Sequence, residues 1–133
     1  MSVDDSRVVC IVDDDASLRR SLRNLLTSVG FRVETFPSAD AFLESVHRGN
    51  TGCIVLDLRM AGMSGLELLK HLEATGSRIP VIALTAHGGE DTRRRTLQAG
   101  AVAFLTKPFQ SAALVAAVRT ALPRSTEGPG GAA

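Results

Sequence analysis

The chain has 133 residues, is 44% hydrophobic and carries a formal charge of +1 from 15 basic and 14 acidic side chains. That length suits one compact domain with a real core, and the near balance of charge gives no excess for nucleic acid. The apolar runs are strand-sized, far short of the roughly 20 residues that cross a bilayer, and Met1 to Arg7 is polar and acidic, so a cytoplasmic location without membrane contact is expected.

The first apolar run, Val8-Val9-Cys10-Ile11-Val12, is a predicted strand that ends in three carboxylates, Asp13, Asp14 and Asp15. A helix follows from about Ala16 to Val29, with Leu18, Leu22, Leu25, Leu26 and Val29 at helical spacing. Arg19, Arg20 and Arg23 are expected to face outward, and Gly30 to be a left-handed stop. Arg32 to Phe36 is a second strand and Ser38 to His47 a second helix. The third strand, Cys53-Ile54-Val55-Leu56, is closed by Asp57 and followed by the glycine-rich loop Met60-Ala61-Gly62-Met63-Ser64-Gly65. Ser64-Gly65-Leu66-Glu67 fits a capping box opening a third helix, with Leu66, Leu69 and Leu72 as its buried stripe. Val81-Ile82-Ala83-Leu84 is a fourth strand ending in Thr85. The fourth helix, near Glu90 to Gln98, follows Gly88-Gly89 and has little beyond Leu97 as an apolar anchor, so weak docking marks it as a candidate moving part. A fifth strand, Val102-Ala103-Phe104-Leu105, leads through Thr106 to Lys107 and Pro108. The last helix, Ser111 to Leu122, carries Leu114, Val115, Val118 and Leu122. From Pro123 the composition collapses into Ser, Gly, Pro and Ala, so residues 1–122 are read as the domain and 123–133 as a flexible tail or linker.

Strands alternating with helical patterns are the signature of βαβ units, hence of an α/β fold whose parallel sheet is covered on both faces. Parallel strands bring Asp13, Asp14, Asp57, Thr85 and Lys107 to one sheet edge, where open α/β sheets bind ligands. The chemistry there is that of an acidic phosphoryl-transfer and metal site. An aspartate is ionised near neutral pH, so Asp57 can attack a phosphoryl group without the general base that a serine needs. Clustered carboxylates repel one another and an incoming phosphate, which calls for a divalent cation; Mg²⁺ prefers oxygen ligands and bridges to phosphate oxygens. Lys107 can pair first with Asp57 and then with a phosphoryl oxygen, and Thr85 offers a hydroxyl to another. Taken singly, each residue has a plainer reading: a strand-end aspartate is usually a turn former or helix cap. The coincidence of four stations reverses those odds. Cys10 and Cys53 read as reduced core thiols, the three histidines as solvated surface, and Arg93-Arg94-Arg95 as a wet helix face rather than a nucleic-acid contact.

With these residues in place, the chain resembles the receiver domain of two-component response regulators over about Arg7 to Leu122. The resemblance rests on Val12-Asp13-Asp14-Asp15, on Asp57, on Thr85-Ala86 and on Lys107-Pro108-Phe109. The phrases Ile54-Val55-Leu56-Asp57-Leu58-Arg59-Met60 and Gly62-Met63-Ser64-Gly65-Leu66-Glu67 look most like receivers of nitrogen-fixation and nodulation regulators. It implies a flavodoxin-like doubly wound (βα)5 fold, with a five-stranded parallel sheet in the order 2-1-3-4-5. It also implies that Asp57 is the phosphoacceptor, with Thr85 and Lys107 assisting; the chain is then no enzyme beyond promoting its own aspartyl phosphorylation and dephosphorylation. Asp14, Asp57 and the carbonyl of Arg59 would hold Mg²⁺, for which Mn²⁺ can substitute, with Asp13 acting through water and Asp15 as the next acidic neighbour. Ala86 would leave room for the phosphate, a cis peptide would precede Pro108, and Arg59 and His87 would tune the phosphate's lifetime. Thr85 and Phe104 would form the switch, Phe104 signalling only by moving because it lacks a hydroxyl. The implied partners are a histidine kinase or phosphotransfer protein and a phosphorylation-dependent homodimer. The implied output face joins the fourth helix, fifth strand and fifth helix and controls an output partner or domain, transcription among the possible outputs. Ala61 departs from the family's usual proline, which loosens the loop carrying Arg59. No effector fits within residues 123–133, so a stand-alone receiver or one cut from a larger regulator is expected.

Two rival readings carry different chemistry. A haloacid-dehalogenase-like phosphatase also uses an aspartyl phosphate and Mg²⁺, and Asp13 and Asp15 stand two apart like that family's nucleophile and acid. Against it, the chain has no room for a cap domain and Asp57 lacks a partner acid at Arg59. A phosphorylation-independent pseudo-receiver is opposed by the presence of Asp14, Asp57, Thr85 and Lys107 together.

Overall fold

The computed structural model describes residues 7–45, 50–60, 62–86 and 88–122. Five strands alternate with five helices: β1 Val8–Val12, α1 Ala16–Ser28, β2 Val33–Phe36, α2 Ala39–Leu43, β3 Thr51–Asp57, α3 Gly65–Ala74, β4 Val81–Thr85, α4 Glu90–Gln98, β5 Ala103–Thr106 and α5 Ser111–Ala121. All pairings are parallel and the sheet runs β2-β1-β3-β4-β5. The expected topology is therefore the one observed.

The sheet is covered on both sides, which explains why β1, β3 and β4 are apolar without alternation. One face packs Cys10, Ile54, Leu56 and Ala83 against Phe42 of α2 and Leu68, Leu69 and Leu72 of α3. The other packs Ile11, Val55, Ile82 and Leu84 against Leu22 and Leu26 of α1 and Leu114 and Val118 of α5. Each such buried Leu or Ile contributes roughly 1.5–3 kcal/mol. Cys10 and Cys53 are free and buried on opposite faces, and burial pushes the Cys53 thiol up to about 12, so both are inert packing residues.

Several boundaries differ from the sequence reading for identifiable reasons. Helix α3 buries Gly65, Leu68, Leu69 and Leu72, the i, i+3, i+4, i+7 pattern of a 3.6-residue period, so Leu68 belongs in the stripe and Leu66 lies at its half-buried edge. Strand β3 begins two residues early, at Thr51, where Thr51 pairs with Val8 of β1 and its Oγ1 lies 3.4 Å from Cys10 Sγ. Helix α2 spans only Ala39–Leu43, capped by Ser38 Oγ accepting from Ala41 N at 3.1 Å; His47, to which it was expected to run, lies outside the described residues. Strand β5 starts at Ala103, leaving Val102 57% exposed. Gly30 does take a left-handed conformation, φ 102°, after α1.

Candidate functional site

Parallel pairing sends the C-terminal ends of β1, β3, β4 and β5 to one edge, with β3 between β1 and β4. Asp13 directly follows β1, Asp57 is the last residue of β3, Thr85 the last of β4, and Lys107 directly follows β5. Oxygens of Asp13, Asp14 and Asp57 lie within 4.8 Å of one another. Lys107 Nζ stands 3.6 Å from Asp13 Oδ2 and 3.6 Å from Asp57 Oδ1, between the two carboxylates. The Lys107 amide donates to the Thr85 carbonyl at 2.7 Å, so the loops after β4 and β5 are tied where their side chains are needed. Asp13, Asp57 and Thr85 are buried; Asp14 is exposed at the mouth.

Local sequence explains how each group is held. Asp15 does not join the cluster: its Oδ1 caps α1, accepting from Ser17 N at 2.9 Å and Leu18 N at 3.2 Å. Its own amide donates to Asp13 Oδ1 at 2.9 Å, which orients that carboxylate. Behind Asp57, Ser64 and Glu67 form the expected capping box, with reciprocal bonds of 3.1 and 2.8 Å. Gly65 is the residue that lets α3 start here. A Cβ on it would collide with the Asp57 carbonyl oxygen and the Leu58 Cα, all backbone, and its amide donates to Leu58 O at 3.1 Å. Gly65 thus registers the helix against the strand end carrying Asp57, a role signalled in sequence only by a glycine at the first helical position.

Burial pushes the Asp57 carboxyl above its ordinary range; Asp14 adds to the rise, while the Arg59 amide, 3.3 Å away, and Lys107 oppose it. Asp13 is raised by the same cause, with Asp57 and Asp14 adding and the Asp15 amide and Lys107 opposing. Asp13 Oδ2 is buried and accepts no hydrogen bond among the described residues, Lys107 at 3.6 Å being in ion-pair range only. Three carboxylates this close are an all-oxygen donor set, and with the spare buried oxygen of Asp13 they fit a hard divalent cation such as Mg²⁺.

These shifts have a consequence for stability. The folded chain holds protons on Asp57 and Asp13 to higher pH than the unfolded chain does. From the ordinary carboxylate value of about 4 up to the raised values, stability therefore falls as pH rises, and the cost is fully present above that window. Asp57→Asn is accordingly expected to melt higher than wild type in metal-free buffer at pH 7, by a few degrees, about what 1 kcal/mol gives in a domain of this size. The gap should close as the pH approaches 4; an unchanged or lower melting point at pH 7 would contradict the electrostatic account.

The remaining predicted residues fall as follows. Phe104 is half-buried on β5, and the register Ala83↔Phe104 and Thr85↔Thr106 puts it on the same sheet face as Thr85. The bond between Lys107 and Pro108 is cis. Ala61 and His87 lie outside the described residues. Arg93, Arg94 and Arg95 are exposed and engaged with Glu90 and Asp91 on their own helix, at 4.0, 2.7 and 3.4 Å. Arg19, expected to face outward, instead turns back and donates through Nη1 to the Asp13 carbonyl at 2.7 Å. A cleft of about 320 Å³ opens beside Thr85 between α3 and α4, lined by Leu58, Ser64, Leu66 and Thr96 among others. Among the described residues no helix is long and apolar enough to cross a membrane.

The profile of the response regulator receiver domain matches residues 9–119. The transcriptional regulatory protein FixJ of Azorhizobium caulinodans is 47% identical over 123 residues, covering 92% of this chain and 58% of its own length. Nodulation protein W of Bradyrhizobium diazoefficiens is 44% identical over 88% of this chain and 52% of its own. Among solved structures, FixJ-N superposes with a TM-score of 0.80 at 40% identity over 91% of this chain and 94% of that one. The response regulator StyR does so with 0.81 at 49% identity over 88% and 59%. The chain spans about half the length of the curated relatives it matches. Neither rival reading gains support, and Asp15, spent as a helix cap, is not placed as a phosphatase's acid.

Proposed function

The chain belongs to the response regulator receiver domain family, and from that premise we propose that it is a phosphorylation-controlled switch with Asp57 as phosphoacceptor. The observation that carries the reading is the convergence of Asp13, Asp14, Asp57 and Lys107, with Thr85, at one sheet edge. A carboxylate oxygen of Asp57 attacks the phosphorus of a phosphohistidine on a partner kinase or phosphotransfer protein. The bond from phosphorus to the donor breaks, and the donor leaves with its electron pair. Lys107, between Asp57 and Asp13, is placed to stay with the phosphoryl oxygens as charge builds, and the Thr85 hydroxyl to donate to another. Asp14, Asp57 and the Arg59 carbonyl would hold Mg²⁺, or Mn²⁺ in its place, with Asp13 acting through water. The cation when bound neutralises the carboxylates and the transferring phosphoryl group.

The switch follows from the added charge. A phosphoryl group brings roughly −1.5 to −2, which draws Thr85 and leaves space for Phe104 to turn, while α4 repacks. Two features support α4 as the moving part. Its fully buried side chain is the polar Thr96, Leu97 being half-buried, and among the described residues no side chain caps its start at Gly89. The cleft beside Thr85 gives it room. The shift is a change of population in a bistable element, presented on the face of α4, β5 and α5 to an output partner, an output domain or a second copy of the chain. Residues 1–122 are read as the receiver, while residues 123–133, expected from composition as a tail or linker, lie outside the described residues; transcriptional control is the output that the longer relatives suggest.

Mg²⁺ and acetyl phosphate are expected to give an acid-stable, hydroxylamine-sensitive label on the wild type and none on Asp57→Asn. Equal labelling of the two would overturn the assignment.

A further inference from the structure

Arg19 is an arginine on α1 that the proposed chemistry does not use, yet its side chain bends back over the helix start to the acidic turn. Its Nη1 lies 2.7 Å from the carbonyl oxygen of Asp13, the oxygen of the peptide that leads into Asp14. A charge-assisted bond of that length is among the stronger ones available to a side chain. The turn it grips is held on two other sides. The Asp15 amide donates to Asp13 Oδ1, and the Asp15 carboxylate caps the helix that carries Arg19. Sequence, helix and turn thereby close a loop of interactions: Asp15 fixes α1, α1 presents Arg19, and Arg19 fixes the peptide between Asp13 and Asp14. Asp14 is itself exposed, with little burial to set its direction.

We propose that Arg19 is a positioning residue for the cation site, holding the peptide between Asp13 and Asp14 so that the two carboxylates converge on Asp57. The inference rests on the reading of Asp13, Asp14 and Asp57 as a Mg²⁺ site. It makes a prediction of unusual sign. By Coulomb's law alone, deleting a positive charge close to a cation site tightens cation binding. Loss of a positioning bond loosens it, and outer partners of metal ligands commonly carry about tenfold or more in affinity.

The test is Mg²⁺ titration followed by calorimetry on wild type, Arg19→Gln, Arg19→Lys, Arg20→Gln and Asp14→Ala. Arg20 is the exposed neighbour and serves as the charge control. Arg19→Gln is expected to bind Mg²⁺ about tenfold more weakly, Arg20→Gln as well as or better than wild type, and Arg19→Lys in between. Exchange of the Asp15 amide, which depends on the turn, should quicken in Arg19→Gln even without Mg²⁺, and by a larger factor than the core amides of β3, which report any loss of global stability. Unchanged or tighter binding by Arg19→Gln overturns the proposal, as does an equal loss in Arg20→Gln or an unchanged Asp15 exchange rate. Retention of binding by Asp14→Ala would instead overturn the underlying site reading.

Discussion

Asp14→Ala is expected to lose Mg²⁺ binding by more than about tenfold, the floor being the loss commonly seen when a mere outer partner of a ligand is removed. The argument is geometric and electrostatic. Asp14 is the exposed member of a trio whose oxygens lie within 4.8 Å of one another, and the other two are buried with raised pKa values. Lys107 already serves Asp13 and Asp57 at 3.6 Å each, so these two are partly compensated without a metal. Asp14 supplies the charge at the mouth through which a hydrated cation enters. Its removal should leave the fold intact and cost the phosphorylation that depends on the metal. Calorimetric titration checks the first part and labelling by acetyl phosphate the second. Wild-type affinity in Asp14→Ala would mean that the acidic turn is structural.

Gly65→Ala is expected to damage the site out of proportion to its single added methyl group. The new Cβ would meet the Asp57 carbonyl oxygen and the Leu58 backbone, neither of which can rotate aside as a side chain does. Either α3 withdraws from the strand end or the strand end moves; overpacking of this kind costs roughly 1–3 kcal/mol. The first breaks the bond from the Gly65 amide to Leu58 O that ties α3 to the strand end, and the second displaces Asp57 itself. Thermal melting should fall, and labelling by acetyl phosphate should fall further than in Gly62→Ala. Gly62 needs its left-handed φ of 76° but has nothing within 4 Å of a Cβ, so its substitution strains the loop without pushing on Asp57. Equal labelling of Gly65→Ala and wild type would show that this close approach does not set the site.

The architecture was legible because sheet strands buried on both faces must be apolar throughout, and the runs at Val8, Cys53 and Val81 are. Asp57, Thr85 and Lys107 were legible for the complementary reason: each interrupts or closes such a run, and a polar group at a buried strand's end needs a purpose. Phase and reach were harder to read. Leu66, Leu69 and Leu72 look like a stripe at a spacing of three, yet the 3.6-residue period selects Leu68 with Leu69 and Leu72 and leaves Leu66 at the edge of the cleft. Arg19 sits among arginines on a helix, and nothing local distinguishes the one whose long stem carries its guanidinium back to the Asp13 carbonyl. The importance of Gly65 is likewise a tertiary fact, since only the packing of α3 on the end of β3 removes the space for a side chain. Asp15 shows the opposite trap. It belongs to the acidic run in sequence, but an aspartate at a helix start is a cap before it is a ligand, and two backbone amides claim it.

The central claim is that Asp57 takes the phosphoryl group. After incubation with Mg²⁺ and acetyl phosphate, borohydride reduction converts an aspartyl phosphate to homoserine, and peptide mass spectrometry then locates the altered residue. Homoserine at position 57 is the predicted result. Modification at Asp13 or Asp14 instead, or at no residue while Mg²⁺ is bound, would contradict it.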